Sequence, residues 1–214
     1  HPSATTYSAI GASTAAGLSA SDVALLNDVI GNLTVADVNT VDAIENLAAT
    51  VAGIMVTATG ATASPALSED DFAALGITGV STNTLADVLT AIASAGVTGA
   101  DSYTELQALV SQVMANDANA VNAAIQRIAD YAGDANIAAG SISPTLSDYQ
   151  IAGITGVSSA NLSAFNSALA TTSVMDSAVD DASKIQSLVD AYNRILSEAN
   201  GPSADANSVS NPVS

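Results

Sequence analysis

The sequence predicts an all-α protein made of three consecutive helical repeat modules, with no sheet. Three observations carry this reading: an internal repeat that runs the length of the chain, apolar residues spaced three, four and seven apart within each stretch, and no period-two alternation over any useful length. Each module reads as a short opening helix, a Gly-rich corner, a middle helix and a long closing helix. The expected boundaries are 1–63, 64–142 and 143–200, followed by a polar linker or tail over 201–214.

The opening helices come first. One stretch starts at Pro2, with Tyr7 five and Gly11 nine residues on, and the third starts at Pro144 with Tyr149 and Gly153 at the same offsets. In the second, which starts at Pro65, Phe72 and Gly76 fall two residues further along. Ser68 ahead of Glu69-Asp70-Asp71 reads as an N-cap with acids in the first turn, where the helix dipole favours negative charge. Ser147-Asp148 is expected to do the same in the third stretch. Gly11, Gly76 and Gly153 come where a left-handed C-cap would stop each short helix.

The corners follow as Gly17-Leu18-Ser19, Gly79-Val80-Ser81 and Gly156-Val157-Ser158, and the string Gly-Ile-Thr-Gly-Val-Ser occurs in full at 76–81 and 153–158. Middle helices then place Val23, Leu26 and Ile30, then Leu85, Val88, Leu89 and Ile92, then Leu162, Phe165 and Leu169 on one buried face. Closing helices align Leu106-Gln107-Ala108-Leu109-Val110 with Ile185-Gln186-Ser187-Leu188-Val189, and Ile44 and Leu47 hold that place in the first stretch. Thr34 before Val35-Ala36-Asp37 resembles a capping box that starts the first closing helix. The second stretch carries an extra helical piece, Asn119 to Tyr131, with Val121, Ile125 and Ile128 on one face and Asp117 as its N-cap. The tail Gly201 to Ser214 is polar and Pro-containing, as linkers are.

Composition narrows the function. Apolar residues are 49% of the 214, but aromatics are only 3% and Trp and Cys are absent, so the core is Ala, Val, Leu and Ile. Such a core suits thin, closely packed helices better than a globule with a deep pocket. Three Lys and Arg against 21 Asp and Glu give a net charge of -18. Phosphate binding needs a basic patch, and the cations are Arg127, Lys184 and Arg194 alone, so nucleic acid is excluded as a partner. An anionic membrane surface repels the chain for the same reason. The most apolar stretch, Leu47 to Val56, is too short to insert in a bilayer, which needs ~20 apolar residues. Charged residues total 11%, leaving a surface of Ser, Thr, Asn and Gln of the kind found on proteins that work outside the cell. The lack of cysteine agrees with export from a bacterium that does not rely on disulfides. The start His1-Pro2-Ser3 lacks the basic-then-apolar pattern of a secretory leader, so the chain reads as a mature or excised piece of a longer one.

The series Ser147-Asp148-Tyr149, Ala152-Gly153-Ile154-Thr155-Gly156-Val157, Asn161-Leu162 and Ile185-Gln186-Ser187-Leu188-Val189-Asp190 resembles the tandem helical repeats of large bacterial surface adhesins and other extracellular proteins exported by type I secretion. The resemblance covers all three stretches, best the second and third. The first departs from it, with Ala12-Ser13-Thr14-Ala15-Ala16 before Gly17. The resemblance implies a secreted or cell-surface location and a role as stalk, spacer or contact segment.

Catalytic chemistry has little to work with. The sole histidine is His1, at the start of the chain, where it reads as a tag or processing remnant rather than a general base. Nucleophile-elbow, P-loop and dinucleotide patterns are missing, and zinc lacks His and Cys ligands. No enzyme, catalytic residue, cofactor-binding residue or metal ligand is assigned. Calcium is the one ion left to consider. Glu69-Asp70-Asp71 and Asp180-Asp181 read as helix caps. Asn116-Asp117-Ala118-Asn119 with Asn122 resembles half a calcium loop, without the glycine and bidentate glutamate of an EF-hand. Tyr7, Phe72 and Tyr149 read as core plugs rather than recognition aromatics.

The expectation is a structural or adhesive module of an exported bacterial surface protein, acting in cell adhesion or biofilm. Its partners would be other domains of a longer chain or identical subunits. The alternatives are a self-assembling subunit of an extracellular filament or biofilm matrix, and a helical module that binds a peptide or sugar.

Overall fold

The computed structural model describes residues 1–133 and 142–199. They form α1 (Ala4–Ala9), α2 (Ser13–Gly17), α3 (Ala20–Asn32), α4 (Val41–Ala58), α5 (Glu69–Ala74), α6 (Leu85–Ala95), α7 (Tyr103–Tyr131), α8 (Leu146–Ile151), α9 (Leu162–Leu169) and α10 (Ala182–Ala199), with single 3-10 turns at Val97–Gly99 and Asp176–Ala178. The protein is all-helical: no strand occurs among the described residues. The expected linker 201–214 lies outside them.

The chain divides into two compact units, His1–Asn116 and Asp117–Ser214. The expected boundary at 63/64 falls inside the first unit. There Leu25, Leu26, Val29, Val51 and Ile54 share one core with Phe72, Leu75, Val88, Ile92 and Leu106. The second unit has its own core of Ala124, Ile128, Tyr149, Phe165, Leu169, Ile185 and Val189.

The three opening helices α1, α5 and α8 are built alike. Ser3, Ser68 and Thr145 are their N-caps, each reciprocally bonded to the residue three further on, Thr6, Asp71 or Asp148. The cap of α8 is therefore Thr145 and not Ser147, which lies inside the helix. The backbone of Thr145 is still extended, and its N–H and hydroxyl both reach Asp148 Oδ2 at 2.8 Å, so the helix starts one residue later. Each opening helix ends in the same left-handed glycine, with φ of 84°, 77° and 74° at Gly11, Gly76 and Gly153. The next residue's N–H reaches back to the carbonyl of the buried aromatic: Ala12 to Tyr7 and Ile77 to Phe72 at 3.0 Å, Ile154 to Tyr149 at 2.8 Å. With Gly11, Gly76 and Gly153 donating to Ser8, Ala73 and Gln150, this is the Schellman arrangement, which satisfies carbonyls that a helix end leaves bare.

Two expectations about helix starts need correction. The Thr34–Asp37 box forms, with Asp37 Oδ2 accepting from the Thr34 N–H at 2.9 Å and its hydroxyl at 2.6 Å, but it closes only a turn. The closing helix α4 starts at Val41 under Thr40, whose extended backbone interrupts any run-on from that turn. Asn119–Tyr131 is not a separate helix either: α7 runs without a break from Tyr103 to Tyr131, and Asp117 lies within it. No Gly or Pro occurs between 103 and 131, and the Asn and Asp of 116–119 are set among Ala115, Ala118 and Ala120, alanine being the best helix former. The start of α7 is instead capped twice, locally by Ser102 Oγ accepting the Glu105 N–H at 3.3 Å and from afar by Asp28 Oδ2 accepting the Tyr103 N–H at 2.7 Å.

Helix α4 has 18 residues and a mean hydropathy of 1.3, so the apolar segment is longer than Leu47 to Val56 and meets the length and composition of a membrane span. Its Leu47, Ala48, Val51, Ile54, Met55 and Ala58 are core residues of the first unit.

Candidate functional site

Corner and closing helix are joined by a recurring side-chain clamp. Gln107 Oε1 accepts from the Thr78 N–H at 3.0 Å while its Nε2 donates to the Thr78 carbonyl at 3.1 Å. Gln186 does the same to Thr155, at 2.9 and 3.1 Å. Glu45 stands at the matching place in α4 and accepts from the Thr14 N–H at 2.7 Å and the Ser13 hydroxyl at 3.1 Å. Hydrogen bonds from Thr14 are the main reason its carboxyl lies below the ordinary value. Against the same helices lie two glycines at which any side chain would have to displace a neighbour's. At Gly156 (φ 84°) a Cβ would come within 2.7 Å of Asn193 Nδ2, and at Gly79 (φ 100°) it would collide with the Met114 sulfur.

The aromatic plugs are buried, Tyr7 at 3% exposure and Phe72 and Tyr149 at 0%. Two carry a polar partner: Tyr7 donates to Asn27 Oδ1 and Tyr149 to Asn166 Oδ1, both at 2.7 Å. The asparagine amides donate onward to the carbonyls of Pro2 at 2.7 Å and Pro144 at 2.8 Å. Both asparagines lie eight residues after the corner serine, and Leu89 holds that place in the second stretch, where the plug is Phe72 and needs no acceptor. Sequence reasoning missed these asparagines; the signal was a polar residue in a helix interior, twice at one offset.

Beside each plug lies a groove between the residues just before the opening helix and the outer side of the middle helix. The first, about 630 Å³, is lined by Pro2, Ser3, Val23, Ala24 and Asn27, with His1 at its edge. The third, about 590 Å³, uses the matching Pro144, Thr145, Leu162, Ser163 and Asn166, and adds Tyr131 from the end of α7. The second has shrunk to about 150 Å³ because Thr57, Ala61, Thr62 and Ala63, from the end of α4 and the chain just after it, sit against Leu67 and Leu89. Accordingly Leu67 and Pro144 are buried, whereas Pro2 in the matching position is exposed.

The acidic spots serve structure. Asp71 closes the α5 capping box and also accepts from the Thr50 hydroxyl at 3.4 Å, while Glu69 accepts from Thr82 at 2.8 Å. Asp181 Oδ1 accepts the Lys184 N–H at 2.9 Å ahead of α10, and the Lys184 ammonium pairs with Asp180. Arg127 of α7 pairs with Asp148, whose side chain is 7% exposed. Burial alone would raise that carboxyl, but the Thr145 N–H, Arg127 and the Thr145 hydroxyl outweigh it and hold it below the ordinary 3.8. The would-be calcium loop 116–119 is helical, so its oxygens diverge around a helix instead of wrapping an ion. Among the described residues no group of three or more His, Asp or Glu converges, and no buried side-chain N or O lacks a partner.

No protein-family model, curated protein or solved structure matches this chain.

Proposed function

We propose that the chain is a structural segment of an exported bacterial surface protein, a stalk, spacer or contact element made of three tandem helical modules, and that it does no catalysis. What supports this most is the match between the first and last closing helices. Both α4 and α10 have 18 residues. Each is capped by the residue before it, Thr40 or Asp181, through a bond from the third helical N–H. Each sends the fourth residue after the cap, Ile44 or Ile185, toward the core, and the next, Glu45 or Gln186, to clamp its corner. Repeated contacts that stop at a corner or a cap are contacts that serve the fold. Net charge of -18 keeps neighbouring chains soluble and apart.

The test is location. Antibodies raised against the folded chain should label intact cells of the organism that makes it, and external protease should remove the label. Antigen that appears only after lysis would overturn the proposal.

A further inference from the structure

Helix α7 is anchored at both ends and left bare in its middle. Its Leu106, Val110 and Val113 belong to the core of the first unit, and its Ala124, Ile128, Ala129 and Tyr131 to that of the second. The Met114 sulfur still lies against the Gly79 corner. Between Met114 and Ala124, residues 115–123 contribute nothing to either core. All of them are exposed except Asp117 and Val121, which are half-buried, and the division between the two units falls among them. Asn116, Asp117, Asn119, Val121 and Asn122 rank low among helix formers, and Asn and Asp side chains also compete for backbone hydrogen bonds. An isolated helix shorter than ~12–15 residues is marginal in water. What keeps 115–123 helical is continuity with the anchored turns on either side. Opening this stretch breaks backbone hydrogen bonds but uncovers no core, whereas opening 106–113 or 124–131 takes a core apart.

We propose that 115–123 is a joint built into α7, a stretch that opens locally while the units on both sides stay folded. Under a pull along the chain it lengthens first. Each residue goes from ~1.5 Å of helix to ~3.4 Å of extended chain, which over 115–123 gives about 17 Å before either core is disturbed. A protease finds the same stretch first, because cleavage needs an opened, exposed backbone. The joint goes beyond the surface-segment reading and fails separately from it: local opening tests the one and cellular location the other.

The experiment is hydrogen exchange of the full chain, read by mass spectrometry. Amides of 115–123 should exchange on the order of a hundredfold faster than those of 106–113 and 124–131. Three variants tie the result to its cause. Asn116→Ala, Asn119→Ala and Asn122→Ala together raise helix propensity and should slow exchange in 115–123 about tenfold, with the urea midpoint unchanged. Ala120→Pro breaks the helix inside the joint, where proline can begin the next turn, and should speed exchange there while leaving the urea midpoint where it was. Ala108→Pro, the same change in an exposed position of the anchored part, should lower the midpoint, because the helix there carries Leu106 and Val110 into the core. Exchange in 115–123 as slow as in its flanks overturns the joint. So does a midpoint that falls as far with Ala120→Pro as with Ala108→Pro, or exchange that the triple alanine variant leaves unchanged.

Discussion

Tyr149 and Asn166 offer the sharpest perturbation of the fold. Tyr149→Phe removes a donor 2.7 Å from Asn166 Oδ1 in a site where the ring is 0% and the asparagine 6% exposed. The orphaned amide oxygen costs about 1–2 kcal/mol. Asn166→Leu is worse: it strands the Tyr149 hydroxyl and removes the amide bonds to the Pro144 carbonyl at 2.8 Å and the Ser143 hydroxyl at 2.9 Å. That costs about 2–4 kcal/mol. In the double variant hydroxyl and acceptor leave together, as in the Phe72 and Leu89 of the second stretch, so the two penalties overlap. The expected double cost is about 1–2 kcal/mol less than the sum of the singles. Urea unfolding followed by far-ultraviolet circular dichroism measures all three, and about 4–8 °C of melting temperature accompanies each kcal/mol in a unit of this size. Strict additivity within about 0.5 kcal/mol would refute the pairing and with it the equivalence of the Tyr–Asn and Phe–Leu plugs.

Glycines of the corners and C-caps should separate in cost. Gly153→Ala meets nothing within 4 Å and should lose only the ~1 kcal/mol of a left-handed residue, whereas Gly156→Ala must also displace Asn193 and should lose about 2–4 kcal/mol; equal midpoints in urea would contradict this. Arg127→Met should destabilise the second unit by about 1–2 kcal/mol, discounted because the guanidinium is half-exposed, and Asp148→Asn by more, because the cap is lost with the ion pair. Since Asp148 is held below 3.8, its contribution is full above that value and fades as pH falls through the folded one; an acid titration of stability should lose this step in Asp148→Asn. Burial pushes the Tyr7 and Tyr149 hydroxyls above 10.0, the latter aided by the charges of Asp148 and Tyr131, so the stability they lend is intact below pH 10.0 and declines as pH rises beyond it. With no Trp in the chain, tyrosinate absorbance reads this directly, and the ionisation of these two should coincide with loss of helix.

Much of the fold was legible because glycine and serine mark it. Gly11, Gly76 and Gly153 need positive φ, which other residues adopt at a cost, so their spacing located three helix ends. Apolar residues at helical spacing located the middle helices, whose Leu26, Val88 and Phe165 are buried as read. Cap positions were harder. In a chain dense in Ser and Thr many residues satisfy a capping pattern, and only backbone geometry selects Thr145 over Ser147 or Thr40 over Thr34. The break expected at Asp117 failed for a related reason: Asn and Asp weaken a helix by a few tenths of a kcal/mol each, less than the packing of Ala124 and Ile128 returns. The clamps of Gln107 and Gln186 and the grooves beside Pro2 and Pro144 arise from residues some thirty or twenty apart, which periodicity does not pair.

The central claim is that the chain matters as a structural segment, and replacement in the living cell tests it most directly. Attachment or aggregation would be measured for cells that carry the full protein, cells lacking residues 1–199, and cells in which an unrelated acidic helical spacer of equal length stands in that place. The account predicts that deletion weakens attachment and that the unrelated spacer restores at least part of it. Attachment unchanged by the deletion would contradict it.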